Sequence, residues 1–311
     1  MRRYIHIITI SVFTLFLTSC EEEYIPVPSG DGPEYVVEGY LEAGDDPTPP
    51  YLILTRSFDF YGAFGPHEFN DSFVHDADVK VSDGTLEVTL QEICFFDLDS
   101  TVRELLAEQF GLNADSLTIN FCVYIDLLNQ LQPQTGKTYD LIIAVDGDTI
   151  TSSTRIPMPV PLDSLKFEPP PGDPNDSLAQ LTCYISDPAG DKNFYRYFVA
   201  TNGGQLKTGF SSVEEDLFFD GKSFGFQLFN PETESGDVEP EEFGLYFVGD
   251  TITLKWCTID EANFDFWNTL EFAKSNQGPF SSYTRIQSNI VGGLGVWGGY
   301  NVNYYTLEVA Y

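Results

Sequence analysis

The chain has 311 residues, with 15 basic against 48 acidic side chains and a formal net charge of −33. Hydrophobic residues make up 42% and aromatics 15%, which is ample for a core and excludes a disordered chain in spite of the charge. The same charge excludes binding to nucleic-acid phosphates, which needs clustered Lys and Arg, and it repels anionic lipid head groups.

Arg2 and Arg3 open the chain, and residues 5–17 form a mostly apolar run. That run is too short to span a bilayer and fits the hydrophobic region of an export signal. It ends in Leu17-Thr18-Ser19-Cys20, which resembles the bacterial lipobox: Leu three before Cys, with small residues beside it. The resemblance implies cleavage of residues 1–19 as a lipoprotein signal peptide. Cys20 then carries thioether-linked lipid and palmitate, and acyl chains hold the mature protein to a membrane. The plainer alternative is a secreted protein with a chance Cys. Removing Arg2 and Arg3 with the signal brings the net charge to −35. Glu21, Glu22 and Glu23 follow directly and resemble the acidic export signal of Bacteroidota lipoproteins displayed on the outer face of the outer membrane. A solvated tether is the competing reading of such a charge run. Residues 20–33 read as a lipidated tether rich in Pro, Gly and acids.

Alternating apolar residues predict strands at 34–42 and 51–55. Residues 56–76 are aromatic and irregular. Residues 77–82 and 86–90 alternate around Asp83-Gly84, the strongest short-range hairpin signal. Val102, Leu105, Leu106 and Phe110 then fall at helical spacing over 101–110, with Thr101 and Glu104 placed as a capping box. This predicts a short helical insertion before a strand at 117–125. Residues 137–145 and 149–156 form a second hairpin around Asp146-Gly147. Prolines at 157, 159, 161, 169, 170, 171 and 174 interrupt the pattern, and 159–176 read as a Pro-rich linker. The preceding part, 34–158, reads as an immunoglobulin-like β-sandwich domain.

Residues 177–311 read as a second β-rich domain. Strands are predicted at 177–186 and 194–201, with hairpins around Asp220-Gly221 and Gly249-Asp250. One substantial helix is predicted over 259–274, started by a Thr258/Glu261 capping box, with Phe266, Trp267, Leu270 and Ala273 on one face. The last predicted strand is 300–309. The fold class is therefore mainly β: two β-sandwich-like domains, with a short helical insertion in the first and one substantial helix in the second.

Besides Cys20 there are four cysteines, and an exported protein makes disulfides the default for them. Pairing Cys94 with Cys122 and Cys183 with Cys257 keeps each bridge on one side of the proposed boundary. No CxxC or Cys/His cluster indicates zinc. Asp45, Asp46, Asp173, Asn175 and Asp176 lack EF-hand spacing and read as solvated turns. No metal and no cofactor is therefore expected. Gly221-Lys222-Ser223-Phe224-Gly225 fits a nucleophile elbow, but a turn precedes it, a strand-like run follows, and no His lies beyond His75. Gly293-Leu294-Gly295-Val296-Trp297-Gly298 fits a dinucleotide fingerprint, but no helix or distal acid follows. His67 and His75 read as surface loop residues, and no catalytic residue is expected. The glycine-rich run around Trp297 and Tyr300 reads either as a partner or ligand loop or as a sharp bend with Trp297 buried.

That run, the lipobox, Val36-Val37-Glu38-Gly39, Asp76-Ala77-Asp78-Val79 and Gly136-Lys137-Thr138-Tyr139 together resemble a Bacteroidota lipoprotein family catalogued as domain of unknown function 4249. The insertion between Cys94 and Cys122 departs from the family pattern. The resemblance implies association with a TonB-dependent outer-membrane transporter, as a substrate-capturing or gating accessory rather than an enzyme. An adhesin or structural surface protein, using the aromatic stretch 56–76, is the alternative.

Overall fold

The computed structural model describes residues 34–58, 65–109, 118–172, 175–234, 238–276 and 284–311. Cys20 and Glu21, Glu22 and Glu23 therefore lie outside the described residues, as do Phe60, Tyr61 and Phe64 of the aromatic stretch.

The first elements are β1 (Tyr35–Gly44), β2 (Tyr51–Arg56), a short helix α1 (Pro66–Ser72), β3 (Asp78–Ser82) and β4 (Glu87–Cys94). They are followed by α2 (Ser100–Gln109), β5 (Cys122–Ile125), β6 (Thr138–Val145) and β7 (Asp148–Arg155). Strands β3 and β4 pair around Asp83-Gly84, and β6 and β7 around Asp146-Gly147, as their alternation predicts. Asp146 and Gly147 both have positive φ, 52° and 90°, the combination that a type I′ hairpin turn requires.

The later elements are β8 (Leu162–Glu168), β9 (Leu178–Ser186), β10 (Phe194–Thr201), β11 (Val213–Glu215), β12 (Ser223–Leu228) and β13 (Tyr246–Phe247). Then come β14 (Thr251–Ile259), the helix α3 (Glu261–Ser275) and the long closing strand β15 (Leu294–Glu308). The expected linker 159–176 thus contains a strand, β8, which pairs with β9.

The architecture is mainly β and consists of two sheets. An eleven-stranded sheet runs β11-β10-β14-β15-β1-β2-β5-β4-β3-β6-β7, and a four-stranded sheet gathers β12, β8 and β13 around β9. In the long sheet β15 pairs parallel with β1, joining the first and last strands of the described residues. Its β7 end curls back, so that Thr151 and Val291 exchange backbone hydrogen bonds of 3.0 and 2.8 Å just before β15. The space enclosed by that curl holds one core, with Leu41, Leu52, Leu141, Ile143 and Trp297 among its members. A second core lies between the four-stranded sheet and β10 and β14, and a third lies beneath α3.

The glycine-rich run turns at Gly292-Gly293 and continues as the start of β15, where Trp297 is buried, 0% exposed, opposite Gly39 of β1, as the bend reading expects. A Cβ on Gly39 would come within 2.7 Å of both the Trp297 ring and Leu52, so only Gly lets the indole lie flat across β1. The indole N–H donates to the Tyr139 carbonyl at 3.3 Å, and the Asn289 side chain brackets the Trp297 backbone. The ligand-loop expectation for Trp297 is therefore corrected: an indole with its N–H satisfied inside a core is a packing residue.

Other departures have local causes. Asp-Gly and Gly-Asp mark real turns at 220–221 and 249–250, but their flanking strands do not pair with each other. Strand β11 joins β10 in the long sheet, while β12 and β13 join β9 in the other. Asp216 ties the end of β11 to Asn193, and the tight turn after it carries the chain across to the second sheet. Both helices start one or two residues away from the expected capping boxes, because an Asp competes better for free N–H groups there. Asp99 accepts from Thr101 and Val102, and Asp260 accepts from Asn263 and also from the Thr154 hydroxyl at 2.7 Å.

Cys94 and Cys122 face each other across the β4–β5 pair and form the expected disulfide. Phe73 is buried against this bridge, with Phe69 and Phe121 packed beside it. The expected Cys183–Cys257 bridge does not form. Cys183 sits on β9 in the second core and Cys257 on β14 in the third, on different sheets, and burial pushes both thiols up to about 12.

Two stability measurements check this description. Gly39→Ala should cost about 1–3 kcal/mol in urea unfolding, because the added methyl overpacks the Trp297 contact. Combined with Trp297→Leu, the cost should be less than additive. Replacing Cys94 and Cys122 together by Ser should cost about 3–4 kcal/mol, the loop-closure value for cysteines 28 residues apart. An unchanged midpoint in either case contradicts the packing described.

Candidate functional site

Strand β10 separates two cavities because its side chains alternate between the faces of the long sheet. Tyr195 and Tyr197 point toward the four-stranded sheet, whereas Arg196 and Phe198 point toward the α3 side.

The cavity on the Tyr195 side has a volume of about 500 Å³. Its wall is a closed circuit of five rings. Phe219 stacks on Phe224 at 5.0 Å, Phe224 on Phe226 at 6.3 Å, and Phe226 meets Trp256 at 5.7 Å. Trp256 stacks on Tyr195 at 5.1 Å, and Tyr195 returns to Phe219 at 6.2 Å. Phe224 and Phe226 are two apart on β12, so strand alternation places both on the cavity face. The mouth carries exposed rings: Phe210 is 65%, Phe218 79% and Phe243 51% accessible. Apolar rings this exposed around a concave opening are a departure from an ordinary soluble surface. Glu214 and Glu234 lie at the same mouth, and burial raises both carboxyls above the usual range.

The second cavity, about 750 Å³, is polar. β10, β14, β15, β1 and β2 lie side by side there and contribute Arg196, Lys255, Tyr300, Tyr40 with Glu38 and Glu42, and Tyr51. Glu42 and Lys255 form a buried ion pair at 2.5 Å. Burial opposes the Lys255 charge, but Glu42, with Cys257 and Tyr304 adding to it, outweighs burial and holds the ammonium above its ordinary range. Arg196 is only 4% exposed and forms no ion pair among the described residues. It donates from Nε to the Ser212 hydroxyl at 3.2 Å and from Nη1 to the Tyr300 hydroxyl at 2.7 Å. The Trp267 ring covers one face of the guanidinium, 3.6 Å from its centroid. Ser212 in turn gives its N–H and hydroxyl to the two oxygens of Glu271.

Two clusters of possible metal ligands occur among the described residues. In one, the oxygens of Asp187, Asp216 and Asp220 lie within 4.8 Å of one another. These carboxylates hold loops together, accepting from the Tyr195 hydroxyl and the N–H groups of Asn193, Gly190 and Gly221. Burial, with Asp216 and Asp220 adding to it, raises the Asp187 carboxyl. In the other, His75 and Glu92 lie beside Cys94 and Cys122, whose sulfurs are joined to each other and are not thiolate ligands.

Of the residues singled out from sequence, Tyr300 lines the polar cavity and Trp297 fills the first core. Ser223 opens β12 and shares a hydrogen bond with Ser186, with a strand and no helix behind it. His67 pairs with Asp71 on the exposed face of α1. Arg196, Lys255 and Glu42 were not anticipated. The available signal was a charged residue inside an otherwise apolar strand, as in Phe194-Tyr195-Arg196-Tyr197-Phe198, which places the charge on a buried face.

Together these features define a mainly-β protein with ligand-sized cavities on both faces of one shared strand. The family described as Domain of unknown function (DUF4249) matches residues 21–306, and the chain belongs to it. No curated protein and no solved structure matches.

If the ring circuit is a binding surface, a neutral solvatochromic dye should bind the native protein saturably, with a change in Trp256 emission. Phe226→Ala should weaken that binding roughly tenfold or more while the protein stays folded, since central aromatic contacts carry most of such affinity. Unchanged dye affinity in the variant contradicts the assignment.

Proposed function

We propose that this protein is a lipoprotein anchored through Cys20 and displayed on the outer membrane of a Bacteroidota cell. There it captures a ligand for, or gates, a TonB-dependent β-barrel transporter. The observation that carries the capture role is the aromatic cavity: about 500 Å³, walled by five mutually stacked rings and open at an apolar mouth. A solute with a flat apolar body would be held there by burial of ring surface, which needs no charge complementarity with an acidic protein. The signal sequence, lipobox and Glu triplet support the location. Family membership supports the transporter as partner only through the association that the resemblance implies. No helix among the described residues is long and apolar enough to cross a membrane, which leaves attachment to the acyl chains in this reading.

The adhesin alternative draws less support. Of the aromatic stretch assigned to it, Phe69 and Phe73 pack inward beside the disulfide instead of facing outward.

Affinity capture of the tagged lipoprotein from solubilised outer membranes tests the transporter role. A large β-barrel transporter should co-purify, and repeated recovery of the lipoprotein alone contradicts it. In the same cells, Cys20→Ser should abolish palmitate labelling. Replacing Glu21, Glu22 and Glu23 by Ala should protect the protein from protease added to intact cells, and undiminished shaving removes the triplet from the account.

A further inference from the structure

The polar cavity holds two charges that form no ion pair among the described residues. One is the Arg196 guanidinium. Its Nε and Nη1 have neutral oxygen partners, but its Nη2 group has no protein acceptor among the described residues. The closest compensation comes from Glu271, whose oxygens are both taken up by Ser212. A guanidinium buried with only neutral acceptors has lost water without gaining a direct counter-ion, and an arriving carboxylate would supply one. Trp267 blocks one face of the group, so a ligand approaches its edge, the geometry that suits two parallel N–H···O bonds.

The other charge is Glu38. It accepts from the Tyr40 hydroxyl at 3.0 Å and forms no ion pair among the described residues. The remaining charges near it are already matched: Glu42 with Lys255, and Lys207 with Glu232. A lone anion would satisfy Arg196 and face Glu38, and a lone cation would do the reverse. The solute that satisfies both carries opposite charges at its two ends.

The volume favours an extended solute. Two tyrosines link the charges: Glu38 accepts from the Tyr40 hydroxyl, the Tyr40 and Tyr300 rings are 5.2 Å apart, and Arg196 donates to the Tyr300 hydroxyl. About 750 Å³ is more than a single α-amino acid fills and has room for several residues. We propose that this cavity binds short peptides end to end, with the C-terminal carboxylate on Arg196 and the N-terminal ammonium at Glu38. Side chains would lie against Tyr40, Phe198 and Tyr300, and the peptide groups would find Gln205 and Thr208 on the facing segment. The proposal concerns a different cavity from the aromatic one and does not depend on the transporter role.

Titration calorimetry on the full, detergent-solubilised lipoprotein tests it with three probes: trialanine, its N-acetyl form and its C-terminal amide. Trialanine should bind saturably, and each blocked form should bind roughly tenfold or more weakly, the value of one charge-assisted contact. Glu38→Gln should erase the discrimination against the N-acetyl form while keeping that against the amide. Arg196→Lys, which retains the charge but not the fork, should reduce discrimination against the amide. A near-ultraviolet dichroism spectrum identical to wild type certifies each variant as folded, and Phe226→Ala should bind trialanine as wild type does. Absence of trialanine binding, equal affinity for all three probes, or full retention of both preferences in Glu38→Gln overturns the proposal.

Discussion

Trp297 lying across Gly39 closes the parallel contact between β1 and β15 and fixes which way each strand faces. That contact joins the first and last strands of the described residues inside an eleven-stranded sheet. On one face of that contact Trp297 completes the first core and reaches the Tyr139 carbonyl. On the other face the same two strands present Glu38, Tyr40, Glu42 and Tyr300, which form much of the polar cavity. Because side chains alternate along a strand, a one-residue slip in this pairing would exchange the two faces. Glycine at position 39 guards against such a slip, since its neighbours Glu38 and Tyr40 leave no room for the indole.

The sequence patterns that mark the family acquire a physical meaning from this contact. Val36-Val37-Glu38-Gly39 supplies the thin position, the glycine-rich run supplies the indole, and Gly136-Lys137-Thr138-Tyr139 supplies the carbonyl that it bonds. Three segments far apart in sequence are thus parts of one packing unit. The chain also places its three tryptophans at three distinct tasks. Trp297 closes the core, Trp256 walls the aromatic cavity, and Trp267 covers the buried guanidinium. Strand β10 connects the last two, with Tyr195 on one side and Arg196 on the other.

Local patterns were legible where a single strand or turn determines the outcome. The two N-terminal hairpins, the insertion helix, the long helix and the Cys94–Cys122 bridge all follow from alternation, turn chemistry or position. What could not be read was pairing between distant segments. Asp220-Gly221 looks like a hairpin, yet its strands part to different sheets because Asp216 is committed to Asn193. Cys183 and Cys257 share a half of the chain but not a sheet. The cavities were invisible for the same reason: the ring circuit draws on residues from 195 to 256, and the polar cavity on residues from 38 to 300. The glycines of 292–299 fit either a displayed or a buried Trp297, and the close approach of β1 at Gly39 and Gly295 is what buries it.

Composition narrows the chemistry without naming a ligand. The cavities offer recognition through aromatic rings and a few oriented charges rather than through net charge. Native mass spectrometry of the protein purified from cells that make it reads whether the folded body holds a small solute between its sheets. A fraction should carry a non-covalent small-molecule adduct, reduced by Phe226→Ala. Bare protein alone, from cells grown in rich medium, rules the bound solute out.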